Sequence, residues 1–233
     1  MNRIATRSIV LLVALVTLVA TASDSSAALR VPQIPVLGGG LQTYLNSIGE
    51  SINVNTQQDG AQSWSRTSST NSGVSLLIEQ STNAGANSIG IYNASAGVPT
   101  LYQLLPAAAA PGWFATAGFR TGPVRVVVNL FNANALIQST NIYLGADASN
   151  FAFYISGPNG TFYQQDVRNP GAQAQVLSYA GTGVNAGTWL LAFEDNASNL
   201  SDRDFDDAVA QVESVNPTPV STTTWGTLKT RFK

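Results

Sequence analysis

Between Ser51 and Val212 the chain never holds one pattern for long. Short apolar or alternating runs are cut by turn chemistry such as Asn93-Ala94-Ser95-Ala96-Gly97, Gly157-Pro158-Asn159-Gly160 and Asn169-Pro170-Gly171. Runs of this length between Gly, Pro, Asn and Ser read as strands. The expected strands are Ser51–Asn55, Val74–Glu79, Ser88–Tyr92, Thr100–Leu105, Trp113–Phe119, Val124–Leu130, Thr140–Leu144, Phe151–Ser156, Gln175–Ala180, Thr188–Glu194 and Phe205–Val212. One stretch has a different period. Leu41, Tyr44, Leu45 and Ile48 fall at helical spacing and predict a short amphipathic helix within Leu41 to Glu50. Many short strands and one short helix point to an all-β fold, an antiparallel β-sandwich of jelly-roll-like form. Val124-Arg125-Val126-Val127-Val128 is expected as a central strand, and Phe151, Phe153 and Ile155 as the core face of another.

The ends read differently. Residues 1–28 have the form of a secretory signal peptide, with Arg3 and Arg7 ahead of a twelve-residue apolar run from Ile9 to Ala20. That run is short for a membrane span, and the expected cleavage is after Ala22 or near Ala27 and Ala28. An uncleaved anchor is the alternative. Residues 29–40 form an extended Pro/Gly segment, residues 41–215 the sandwich, and residues 216–233 a Pro/Thr linker with a short tail. In that tail, Trp225 to Lys233, Trp225, Leu228 and Phe232 mix with Lys229, Arg231 and Lys233. It reads as a loose end or as a docking tag. The leader implies a secreted, extracellular or cell-surface protein with no membrane span in the mature chain.

Composition narrows the chemistry. Charged residues are 10% of the chain, and there is neither histidine nor cysteine. The absence removes disulfides, thiol nucleophiles, imidazole-bound zinc and the Ser-His-Asp arrangement. The two lysines, Lys229 and Lys233, both lie in the tail, so a buried Schiff-base lysine is also excluded. No basic patch precedes the tail, so nucleic acid is not an expected partner. Paired carboxylates are what remains for catalysis, and the expectation is a non-catalytic module.

The carboxylates are concentrated. Of the thirteen Asp and Glu, six lie between Phe193 and Asp207: Glu194, Asp195, Asp202, Asp204, Asp206 and Asp207. Arg203 is the single positive charge among them. Two carboxylates about 4 Å apart repel by roughly 1 kcal/mol in water and about 4 kcal/mol near a protein surface. Such a cluster needs a cation, hydration or backbone N–H donors. Oxygen ligands on loops rich in Asp and Asn suit Ca²⁺. A solvated acidic turn is the plain alternative. On a strand, Asp202, Asp204 and Asp206 would share one face, with Arg203, Phe205 and Asp207 on the other. Asp195 would close the preceding strand and reach the same ion. The expected ligands are therefore Glu194, Asp195, Asp202, Asp204 and Asp206, with Asp207 capping a turn or pairing with Arg203.

The same residues resemble a known family. Leu190-Leu191-Ala192-Phe193-Glu194-Asp195, followed by Asp202-Arg203-Asp204-Phe205-Asp206-Asp207, is similar to the C-terminal signature of domain-of-unknown-function family 4114. Leu41-Gln42-Thr43-Tyr44-Leu45 resembles its opening helix, and Asn87-Ser88-Ile89-Gly90-Ile91-Tyr92 and Asn150-Phe151-Ala152-Phe153-Tyr154 resemble two of its strands. The resemblance covers about residues 41–213. It departs at Asp206, where the family has Asn, and in the absence of glycine between Asp195 and Asp202. The resemblance implies a bacterial exported β-sandwich that binds calcium. Three readings follow: a calcium-bound matrix or adhesion module, a glycan-binding module using Trp113 or Tyr102, and a glycoside hydrolase pairing Glu194 with Asp204.

Overall fold

Whether one or both faces of a strand are covered shows in its sequence, and two kinds of strand are present. The computed structural model describes residues 28–67, 71–197 and 200–218. In chain order the elements are α1 (Gly40–Ser47), β1 (Trp64–Arg66), β2 (Ser72–Glu79), β3 (Ser88–Asn93), β4 (Leu101–Leu105), β5 (Phe114–Thr121), β6 (Val124–Phe131), β7 (Ile137–Leu144), β8 (Phe151–Gly157), β9 (Gly160–Tyr163), β10 (Val176–Ala180), β11 (Trp189–Phe193), β12 (Ala208–Glu213) and β13 (Val215–Pro217). Short 3₁₀ turns occur between β9 and β10 and between β10 and β11.

The strands form two antiparallel sheets. One runs β10-β11-β12-β2-β5-β6-β7 and the other β13-β1-β8-β3-β4, with β9 also paired to β8. The main core lies between them: Trp64, Phe151, Phe153 and Ile155 meet Val126, Val128, Leu191, Phe193, Ala210 and Val212. A second core lies on the other face of the first sheet. There Leu41 and Leu45 of α1, with Ile52 and Val54, cover Leu177, Tyr179, Leu190, Ala192 and Val209. The middle strands at that end are thus buried on both faces, which is why β11 reads Trp-Leu-Leu-Ala-Phe without alternation and is buried throughout. Strand β6, half covered, keeps its alternation.

The sandwich, the helix and the inward Phe151, Phe153 and Ile155 agree with expectation. Strand β6 has neighbours on both sides, although it is next to the sheet edge. Ser51–Asn55 is not a strand. Side chains take its backbone groups instead: Gln42 donates to the Ile52 carbonyl (2.7 Å) and accepts from the Val54 N–H (3.1 Å), and the Tyr179 hydroxyl donates to the Val54 carbonyl (3.0 Å). Strands β1, β9 and β13 are additional, each three or four residues long. Because β13 holds Asn216 and Pro217, the sandwich extends two residues into the expected linker. The strand expected at Phe205–Val212 is β12, which starts at Ala208, not at Phe205. The leader through residue 27 and the Trp225–Lys233 tail lie outside the described residues. Among the described residues no helix is long and apolar enough to cross a membrane.

Candidate metal centre

The site begins where β11 ends. The Glu194 N–H still donates to the Gln175 carbonyl (2.9 Å), so the extended backbone persists past Phe193. Successive side chains there must point to opposite faces. Glu194 goes to the face that carries α1, and Asp195 goes to the other. This alternation separates two residues expected in one cluster.

Asp195 is buried among donors. Its carboxylate accepts from the Ser81 hydroxyl, from Asn83 Nδ2 (3.1 Å), from Asn87 Nδ2 (2.6 Å) and from Asn196 Nδ2 (3.0 Å). It fastens the β2–β3 loop to the end of β11. Asp207 completes the knot. Its carboxylate accepts from the Asp195 N–H (2.8 Å), and its carbonyl accepts from the N–H groups of Gln80 (3.0 Å) and Ser81 (3.3 Å). Asp207 therefore ties the start of β12 to the end of β11 and to the β2–β3 loop. The ion pair present among the described residues is Arg30–Asp166, so Asp207 does not pair with Arg203.

The loop from Ser201 to Asp207 is not a strand. Arg203 (φ 60°) and Phe205 (φ 54°) both adopt the left-handed conformation. Left-handed backbone costs an ordinary residue roughly 1–2 kcal/mol, and two such residues in one loop must be held by their surroundings. Phe205 is held by the second core, where its ring is buried beside Leu41 and Leu45. The two left-handed residues also end the expected two-residue alternation. Asp202 and Asp204 are brought together by the turn of the loop and not by a shared strand face.

What results is a triad. One carboxylate oxygen from each of Glu194, Asp202 and Asp204 lies within 4.8 Å of the others. Glu194 is buried, Asp204 is half-buried and Asp202 is exposed. Glu194 accepts from the Phe205 N–H (2.8 Å) and from the Ser201 hydroxyl. Burial pushes its carboxyl up to about 7, and the charges of Asp202 and Asp204 add to the shift against those two hydrogen bonds. Asp206 sits beside the triad at the start of α1. A Cβ built on Gly40 would be 1.8 Å from its Oδ2, so a larger residue there would have to displace that carboxylate. Burial, then the neighbouring Asp204 charge, pushes Asp206 up to about 6. Its charge lies at a helix N-terminus, where an anion is favoured. The Leu37 N–H donates to the Arg203 carbonyl (2.9 Å) and ties the Gly38–Gly40 run to the acidic loop.

The triad fits a hard cation. Calcium holds oxygens at about 2.3–2.6 Å, so oxygens on opposite sides of one ion stand up to about 5 Å apart. Of the five expected ligands, Glu194, Asp202 and Asp204 meet this condition; Asp206 adjoins them at Asp204, whose Oδ1 accepts from the Asp206 N–H (3.3 Å), and Asp195 faces elsewhere. Ser81, Asn83, Asn87 and the glycines at 38–40 were not foreseen. The sequence signals are the Asn- and Ser-rich stretch Ser81-Thr82-Asn83-Ala84-Gly85-Ala86-Asn87 and the Gly-Gly-Gly run itself.

The residues of the other two readings are placed differently. Tyr102 is buried, and Trp113 is half-buried against the main core. Carboxylate oxygens of Glu194 and Asp204 lie within 4.8 Å of each other, in one group with Asp202. An open cleft of about 640 Å³ lies at the opposite end of β11, lined by Asp59, Thr188 and Trp189, away from these acids. No family model, curated protein or solved structure matches the chain. The resemblance to family 4114 therefore rests on the residues quoted above.

A pH dependence follows from the metal-free site. Glu194 and Asp207 are raised to about 7 and Asp206 to about 6. For Asp207 the first cause is burial, opposed by the hydrogen bond from the Asp195 N–H and reinforced by the Asp195 charge. In the unfolded chain these groups titrate near 4. The native state therefore binds more protons between about pH 4 and pH 7, and stability falls as pH rises through that window. In EDTA the melting midpoint is expected to be several degrees higher at pH 5 than at pH 8. A midpoint that climbs from pH 5 to pH 8 would contradict this account of the acidic loop.

Proposed function

We propose that the chain is a secreted, non-catalytic surface or matrix module, and that Ca²⁺ held by Glu194, Asp202 and Asp204 pins the loop before β12 to the end of β11, holding these two strands together. The observation that carries this reading is the convergence of three carboxylates on one point of a doubly left-handed loop. Three like charges held that close repel, and a divalent cation offsets the repulsion. The lack of histidine and cysteine, the neutral polar composition and the leader support a structural role outside the cell.

The test is thermal unfolding in calcium against EDTA. Extracellular calcium modules bind at about 0.1–1 mM, and a hundredfold ligand excess adds about 2.7 kcal/mol. For a domain of this size that is a rise of roughly 5–10 °C in the midpoint. An unchanged midpoint at pH 8 would remove calcium from the reading. Among the ligands, Asp204→Asn is expected to weaken binding about tenfold or more, whereas Asp206→Asn changes it less, because Asp206 lies outside the three converging carboxylates and asparagine keeps an oxygen there. Isothermal titration of the two variants ranks them, and a larger loss for Asp206→Asn would reverse the assignment.

A further inference from the structure

The edges of the two sheets are not treated alike. An edge strand offers a row of unpaired N–H and C=O groups, and proteins guard such rows with prolines, charges, shortness or a covering segment. Beyond β10 the edge is covered: the Asp59 N–H donates to the Ser178 carbonyl (2.7 Å) in an isolated bridge. Strand β4 has five residues and runs between Pro99 and Pro106. Strand β13 has three residues and ends in Pro217.

Strand β7 carries none of these devices. Its eight residues, Ile-Gln-Ser-Thr-Asn-Ile-Tyr-Leu, include no proline and no charge. Its register with β6 is unbroken from Ser139 to Leu144, and the one shift lies at the Ile137 end. Ile137, Ile142 and Leu144 are 59%, 61% and 66% exposed, and Leu136 and Val124 beside them are also exposed. Five of the twelve exposed large apolar residues among the described residues thus gather on this edge. Helix α1 and its flanking segment cover the outer face only near β10, β11, β12 and β2.

We propose that β7 pairs antiparallel with β7 of a second copy of this chain, joining the two seven-stranded sheets into one. The charges near the edge favour this occupant. Arg125 lies opposite Leu144, at one end of β7. An antiparallel copy sets the two Arg125 residues on opposite sides of the twofold axis, four to eight residues or roughly 13–27 Å apart along the strands, beyond a Debye length of about 8 Å. No charged residue of either β7 meets another. An antiparallel edge pairing has its twofold axis perpendicular to the sheet, so equivalent residues keep their faces. Side chains alternate with a period of two, so one residue must then lie opposite itself. With the unbroken segment centred near Asn141, that residue is Thr140, Asn141 or Ile142.

The test is the oligomeric state of the full chain by sedimentation velocity from about 1 to 100 µM. A dimer is expected to form within this range. Ile142→Lys with Leu144→Lys sets like charges near the joint and is expected to raise its dissociation constant at least about tenfold. Both sites are exposed, so circular dichroism should be unchanged. The chain lacks cysteine, which gives an independent readout. Among Thr140→Cys, Asn141→Cys and Ile142→Cys, the residue on the axis should be joined efficiently by a short bis-maleimide, while Val98→Cys on another loop is not. A monomer throughout the range, a dimer indifferent to the lysine pair, or cross-linking equal at all four positions would overturn the proposal.

Discussion

Phe205→Ala is expected to lower stability by about 3–5 kcal/mol, as for other aromatic rings removed from a core. For a domain of this size the melting midpoint should fall by roughly 10–15 °C. The ring is 1% exposed and belongs to the core beneath α1, beside Leu41, Leu45, Leu190 and Val209. It also holds a strained backbone, because Phe205 itself is at φ 54°. Alanine cannot relieve that strain, since its Cβ meets the same clash. Phe205→Gly separates the two effects. Glycine adopts positive φ freely and should recover up to about 1 kcal/mol relative to alanine while the ring is still missing. Urea unfolding of the three proteins measures both differences. A loss below about 1 kcal/mol for Phe205→Ala would show that the acidic loop is held by something other than this ring. The same variant should weaken calcium binding, because the ring and the triad are set by one loop.

How much of this was legible in the sequence depended on whether a contact was local. The alternating residues of β6 and the large residues of β8 were readable because each strand carries its own face pattern. The continuous Leu190-Leu191-Ala192 run was readable as a strand. That it is covered on both faces depends on Leu41 and Leu45, some 150 residues away. Ser51–Asn55 has the composition of a strand, yet its backbone groups are taken by the side chains of Gln42 and Tyr179, which no local pattern records. Strands β1, β9 and β13 are too short for periodicity to show.

The clustering of acids was legible in the sequence, and the backbone geometry of their loop was not. Period-two alternation assumes extended backbone throughout, and two left-handed residues end it. Phe205 still reaches a core, but by a turn of the chain and not by a strand face. The same alternation, applied at Glu194 and Asp195, would have separated them, because the backbone there is extended. Three partners of the Asp195 carboxylate, Ser81, Asn83 and Asn87, lie more than 100 residues away in sequence, and Ser and Asn side chains are too common in this chain to mark themselves.

Asp195 provides the second large effect. Asp195→Ala is expected to lower stability by about 3–5 kcal/mol without belonging to the metal centre. The residue is 3% exposed. Its removal leaves the Ser81 hydroxyl and the Asn83 and Asn87 amides without their shared acceptor, in a place where the Asn87 Oδ1 is already buried without a partner. Each buried polar group left unsatisfied costs about 1–3 kcal/mol. Asp195→Asn keeps the shape and one acceptor oxygen, but turns an amide toward donors, so an intermediate loss of about 1–3 kcal/mol is expected. Because Glu194 and Asp195 face opposite sides of the sheet, folded Asp195→Asn should keep its calcium affinity within roughly threefold, the change attributable to one distant charge. Asp204→Asn should show the reverse pattern, with affinity lost and metal-free stability largely kept. Titration and urea unfolding of both variants separate the two roles. If Asp195→Asn loses as much calcium affinity as Asp204→Asn, Asp195 is a ligand, and the split between the buried knot and the open triad is wrong.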